Sequence, residues 1–175
     1  SNAAFAQWYR SDANVNRTLA LELTLPSIGN GAYRFDSASF YPATGRGFDV
    51  EDCGGNPCEA VFADGNGAGD RNFFFTSEVH FWFEYNGTET LAFSGDDDVW
   101  VFINGRLAVD IGGVHGRLDD SVDLSNPTTA ANLGLTVGGI YQAIVFQAER
   151  HVTRSQYRLT LTNFNQTPST CTDMC

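Results

Sequence analysis

A chain of 175 residues, 42% hydrophobic and 13% aromatic with only 18% charged, holds enough apolar material for one folded domain and is not disordered in composition. Its formal net charge of −11 excludes nucleic acid as a natural partner, because phosphate binding needs a basic surface. No run of about 18 apolar residues occurs, so no segment reads as a membrane-spanning helix.

Ser1-Asn2-Ala3 reads as an expression-tag remnant, 4–165 as a single folded domain, and 166–175 as a linker whose two cysteines either pair locally or open a cysteine-rich region. RTLALELTLP (17–26) alternates, with Leu19, Leu21, Leu23 and Leu25 on one face, and predicts a strand. The stretch 44–72 is poor in strand pattern and rich in Gly and Asp, so it reads as a long excursion. Inside it Cys53 and Cys58 enclose the turn-rich Gly-Gly-Asn-Pro, while Cys171 and Cys175 form a second close pair at the end. Four cysteines admit three pairings, and the two local ones are favoured; neither pair has zinc-finger spacing, and local disulfides imply an exported protein. Asp64, Asn66 and Asp70 are spaced like the front of a calcium loop, but Phe75 stands where a bidentate Glu is needed, so this stretch reads as a glycine turn.

EVHFWFEY (78–85) alternates Val79, Phe81, Phe83 and Tyr85 against Glu78, His80, Trp82 and Glu84. ETLAFSG (89–95), VWVFING (99–105), RLAVDIG (106–112), YQAIVFQAE (141–149) and YRLTLTNF (157–164) follow as further strands. Asn104-Gly105 is the preferred two-residue hairpin turn, and Asn86-Gly87 reads as a second one, which together predict a four-strand meander. One short helix at most is expected, within DSVDLSNPTTAANLG. The fold class is therefore all-β, an antiparallel sandwich with long loops.

Asp96, Asp97 and Asp98 stand in a row before a hydrophobic strand. Crowded carboxylates repel unless a cation or donor stabilises them. On an ordinary trans strand the first two would point to opposite faces and chelate poorly. Their own pattern leaves two readings open, a solvated acidic turn or a cation site.

SGDDDVWVFINGRLAVDIGGVHG and YQAIVFQAERHVTRSQYRLTLTNF, with FYPATGRGF and RNFFFTSEVHFWFEYNGTETLAF upstream, resemble the fibro-slime domain family, a branch of the PA14 superfamily. The resemblance covers roughly residues 15–165. It implies a PA14-like β-sandwich from a secreted or cell-surface protein, and several PA14 members are calcium-dependent lectins. In those lectins an adjacent Asp pair joined by a cis peptide bond holds calcium, Ca2+, while sugar hydroxyls complete its shell. The resemblance puts that pair at Asp96-Asp97 and a second calcium loop at 147–155. Ala148 departs from the lectins' Asn there, and Glu149 is the residue placed to supply the oxygen. Asp98 is read as structural, a turn residue accepting backbone N–H groups.

Gly113 and His115 in DIGGVHG (110–116), with Arg150 and His151 in the second loop, are the remaining ligand-binding candidates. For His115 and His151 the preferred reading is that each holds its loop by hydrogen bonds. Trp82 and Trp100 are candidates for sugar stacking, although in a sandwich with 14 Phe most aromatic residues must be core.

No GxSxG, HExxH or phosphate-binding glycine loop appears, so a binding module rather than an enzyme is expected. The main expectation is a cell-surface adhesion module binding glycan through calcium, exposed at a bacterial outer membrane. The alternative is a homotypic self-recognition domain of the myxobacterial kin-receptor type, with structural calcium and another copy on a neighbouring cell as partner. A targeting module of an extracellular carbohydrate-active enzyme stands third.

Overall fold

In the computed structural model the described residues are 2–10, 12, 15–51, 53–56, 58–65, 67 and 69–164, with side chains from residue 5 onward. The chain folds into two antiparallel sheets packed face to face. One sheet has five strands in the order β1 (Ser27–Gly29), β2 (Ala32–Ser37), β11 (Tyr157–Thr162), β6 (Thr90–Gly95) and β9 (Leu118–Asp123). The other has four: β5 (Thr76–Glu84), β10 (Ile140–Ala148), β7 (Asp98–Ile103) and β8 (Arg106–Ile111). A two-residue ladder, β3 (Phe62–Ala63) with β4 (Asp70–Arg71), lies in the long excursion.

Alternation builds the core. Phe83, Val99, Val101, Ile103 and Val145 point inward from one sheet and meet Leu91, Phe93, Val122, Tyr157 and Leu159 from the other. Inward residues of period two on two facing sheets are what a sandwich requires. Trp82, on the opposite side of β5, stays 64% exposed.

Asn104 and Gly105 both take positive φ, 51° and 70°, and turn β7 into β8 as the sequence predicts. Asn86-Gly87 does something else. β5 pairs with β10 and β6 pairs with β11 and β9, so no four-strand meander forms and this turn carries the chain from one sheet to the other. Of the pair only Gly87 has positive φ, and the turn is organised by Glu89, whose fully buried carboxylate accepts the backbone N–H groups of Asn86, Gly87 and Thr88 at 2.7–3.0 Å. A carboxylate that gathers three successive amides fixes a corner without hairpin dihedrals.

Residues 17–26 form no strand. Leu23 and Leu25 pack on the core, but Leu19 and Leu21 remain 38% and 49% exposed, beside a groove of about 1040 Å³ whose other wall includes Val79 of β5. Alternation selects a face; a strand also needs a neighbour to pair with, and here the groove intervenes.

Among the described residues two α-helices form, one more than expected. α1 (Asn2–Trp8) lies on the outer face of the four-stranded sheet, where Phe5 and Tyr9 meet Phe146 edge-on and Tyr9 Oη donates to Gln147 O. α2 (Pro127–Leu133) falls inside the stretch the sequence singles out. Asn126 caps it by accepting from Thr128 N and Thr129 N, Pro127 opens it, and Gly134 at φ 71° ends it.

Cys53 and Cys58 are joined by a disulfide, whereas Cys171 and Cys175 lie outside the described residues. The glycine turn between Asp64 and Asp70 closes with Asp64 N donating to Gly69 O; Asn66 and Ala68 are also outside the described residues.

Candidate functional site: a buried carboxylate cluster

The link between β6 and β7 crosses from the five-stranded sheet to the four-stranded one; Gly95 ends β6, and Asp96 and Asp97 form the link. The Asp96–Asp97 peptide bond is cis. A Cβ on Gly95 would lie 2.4 Å from Gln156 O and 2.8 Å from a Phe93 ring carbon, so the close approach of these backbones requires glycine. That approach lets Gln156 N donate to Asp96 Oδ1 at 2.5 Å, tying the turn to the start of β11.

The end of β10 delivers the second wall. Gln147, fully buried, donates Nε2 to Asp96 O at 3.1 Å and accepts the Ser77 hydroxyl. Arg150 N lies 3.0 Å from Asp97 Oδ2 and 3.1 Å from Glu149 Oε1, so one N–H serves two carboxylates from opposite walls. His151 N also reaches Glu149 Oε1, and His115 N reaches Asp97 Oδ1, both at 3.1 Å. Asp96, Asp97 and Glu149 are 5%, 2% and 4% exposed.

Glu149 Oε2 is buried with no hydrogen-bond partner. Burial pushes the Glu149 carboxyl up to about 8, against the Ser155 hydroxyl and the His151 N–H, which favour its charged form, and with the charges of Asp97 and Asp96 adding to the rise. Burial chiefly raises Asp96 as well, against the Gln156 N–H that holds its charged form. A buried polar atom without a partner is costly, and three buried acids at one spot are costlier still without a positive charge.

Asp98 differs from its neighbours. It accepts Gly113 N at 2.6 Å and is ion-paired with Arg150, through Nε at 2.5 Å and Nη2 at 2.9 Å. Its charge is balanced by protein alone. The same bonds show what Gly113 and Arg150 do: one brings the 110–116 loop onto Asp98, and the other neutralises that carboxylate while its guanidinium sits 5.8 Å from the Trp8 ring centroid. The His115 ring lies against Gly116 O at 2.8 Å and Ile111 O at 3.4 Å, and the exposed His151 ring pairs with the Thr153 hydroxyl. Both rings are engaged within their own loops.

The structure thus brings Asp96, Asp97, Glu149, Gly113, His115, Arg150 and His151 to one end of the sandwich. Sequence reasoning overlooks Gly95, Gln147 and Gln156 as positioning residues, although a glycine directly before an acidic turn is a visible signal of close backbone approach. Among the described residues no three His, Cys, Asp or Glu side chains converge tightly enough to enclose a metal alone. Calcium does not need that, since it also takes backbone carbonyls and water among about 6–8 oxygen ligands. The donors here are all oxygen, two walls contribute carboxylates, and Glu149 Oε2 is free to bind, so the residues suit a hard cation.

The PA14 domain signature matches residues 60–172, which take in β5–β11 and the whole carboxylate cluster. Relatives come from Dictyostelium discoideum. Protein psiD is 36% identical over 169 residues, 97% of this chain and 31% of psiD. Protein psiQ is 38% identical over 157 residues, 89% of this chain and 15% of psiQ. Protein psiH is 39% identical over 149 residues, 85% of this chain and 19% of psiH. The chain therefore spans less than a third of the length of these relatives. Its sandwich, its acidic turn and the matched span together make it a member of the PA14 domain family, whose modules serve carbohydrate binding or adhesion.

Proposed function

We propose that this domain is an extracellular recognition module that binds glycans through calcium held by Asp96, Asp97 and Glu149, and that within the PA14 family it belongs to the fibro-slime branch. The observation that carries the reading is Glu149 Oε2, a buried carboxylate oxygen without a partner beside two further buried acids. Calcium, when bound, supplies coordination positions that vicinal sugar hydroxyls complete. Every other task belongs to the chain. Gln156 N and Gln147 Nε2 fix Asp96, His115 N and Arg150 N orient Asp97, and the Asp98–Arg150 pair anchors the loop that carries Glu149. We read the domain as binding rather than catalytic, because the clustered carboxylates are oriented by backbone N–H groups as a fixed set of oxygen ligands. The Cys53–Cys58 disulfide supports an exported location.

The test is a glycan array probed in calcium and again in EDTA. Binding that appears only in calcium is expected. Glycan binding unchanged in EDTA would overturn the reading, and clumping of domain-coated beads that no sugar inhibits would favour homotypic recognition instead.

A further inference from the structure

Asn-x-Thr, where x is not Pro, is the acceptor pattern for N-linked oligosaccharide in exported proteins. The chain carries it at Asn16-Arg17-Thr18, Asn86-Gly87-Thr88 and Asn165-Gln166-Thr167; Pro127 bars Asn126, and Asn165 lies outside the described residues. The two remaining asparagines differ in what their side-chain nitrogen does. Attachment of a sugar leaves Nδ2 with one N–H of its two. Asn16 uses both, donating to Gln7 O at 3.1 Å and Arg10 O at 2.6 Å, while its Oδ1 accepts Asp12 N at 3.2 Å. A sugar on Asn16 would break one of the bonds that hold the segment after α1. Asn86 is exposed and uses only one N–H, to Glu84 O at 3.2 Å. The corner itself is held by backbone amides on the Glu89 carboxylate and needs nothing more from the Asn86 side chain.

We propose that Asn86 is an N-glycosylation site and that Asn16, despite the same pattern, is not occupied in the folded protein. The donor is a polyprenyl-pyrophosphate-linked oligosaccharide. The Asn86 Nδ2–H bond gives way to an Nδ2–C1 bond, the sugar C1–O bond to the pyrophosphate breaks, and the polyprenyl pyrophosphate leaves with the electron pair while the proton is released. The six residues of β6 separate this corner from Asp96, about 20 Å at strand rise, so the oligosaccharide stands at the end of the sandwich away from the Asp96, Asp97 and Glu149 cluster.

Secretion of the chain from a eukaryotic host tests this, with peptide mapping after enzymatic deglycosylation in ¹⁸O water, on both secreted and cell-retained fractions. The expected result is an isotope-marked Asp at position 86 and an unmarked Asn16. Thr88→Ala, and separately Asn86→Gln, should lose that mark, and Thr88→Ala should leave the melting temperature unchanged. An unmarked Asn86 in the wild-type chain overturns the proposal, as does Asn16 marked to the same extent as Asn86.

Discussion

The two ends of the sandwich each bury a carboxylate where the chain passes between sheets, and they treat it in opposite ways. At one end Glu89 lies fully buried and accepts three successive backbone N–H groups, so its charge is answered by the turn it organises. At the other end Glu149 takes the His151 N–H and shares the Arg150 N–H with Asp97, both on one oxygen, keeps the other oxygen without a partner and is pushed up to about 8 by burial. Burial alone therefore does not single out an acid as a candidate ligand. What singles out Glu149 is burial that the protein's own donors leave partly unanswered.

Substitutions can break this contrast. Asp97→Asn should weaken calcium binding by about 100-fold or more in a calorimetric titration, since it removes a charged ligand from the cluster; retention of wild-type affinity would show that the acidic end holds no cation. Next in size is a pH effect. In EDTA the folded chain keeps a proton on Glu149 that the unfolded chain loses above its ordinary value of 4.5, so stability should fall as pH rises from there through about 8. Saturating calcium takes the ionised form and should flatten that fall; thermal melts that run parallel with and without calcium would refute the linkage. Glu89→Gln, which turns an acceptor oxygen into an NH₂ group facing backbone donors, should cost about 2 kcal/mol in chemical denaturation and leave calcium affinity unaltered. Asp98→Asn should cost about 1 kcal/mol, because the Arg150 guanidinium that it pairs with is half-exposed, and it should weaken calcium binding far less than Asp97→Asn, since it loosens the loop that carries Glu149 without removing a ligand.

Much of the sandwich was legible because period-two alternation records which face of a strand is buried, as in 78–85 and 157–164. Partner choice leaves no such record. The alternation of 17–26 names a buried face correctly for Leu23 and Leu25, yet no strand forms, and Asn86-Gly87 looks like a hairpin until Glu89 is seen to organise the turn. At the site, the Asp96-Asp97 pair is singled out by resemblance, and Asp98 is separable from it as a residue that accepts backbone N–H. Its ion pair with Arg150 spans 52 positions of sequence and is a product of β7 and β10 lying side by side. Local pattern cannot carry information about such a pair.

β9 is the last strand of its sheet and presents Asp119, Asp120 and Asp123 at an exposed edge. An unpaired edge is an invitation for another chain to continue the ladder. Any copy of this domain arriving there in antiparallel register would bring its own acidic row against this one. Like charges meeting along this edge oppose the joining of two copies into a shared sheet.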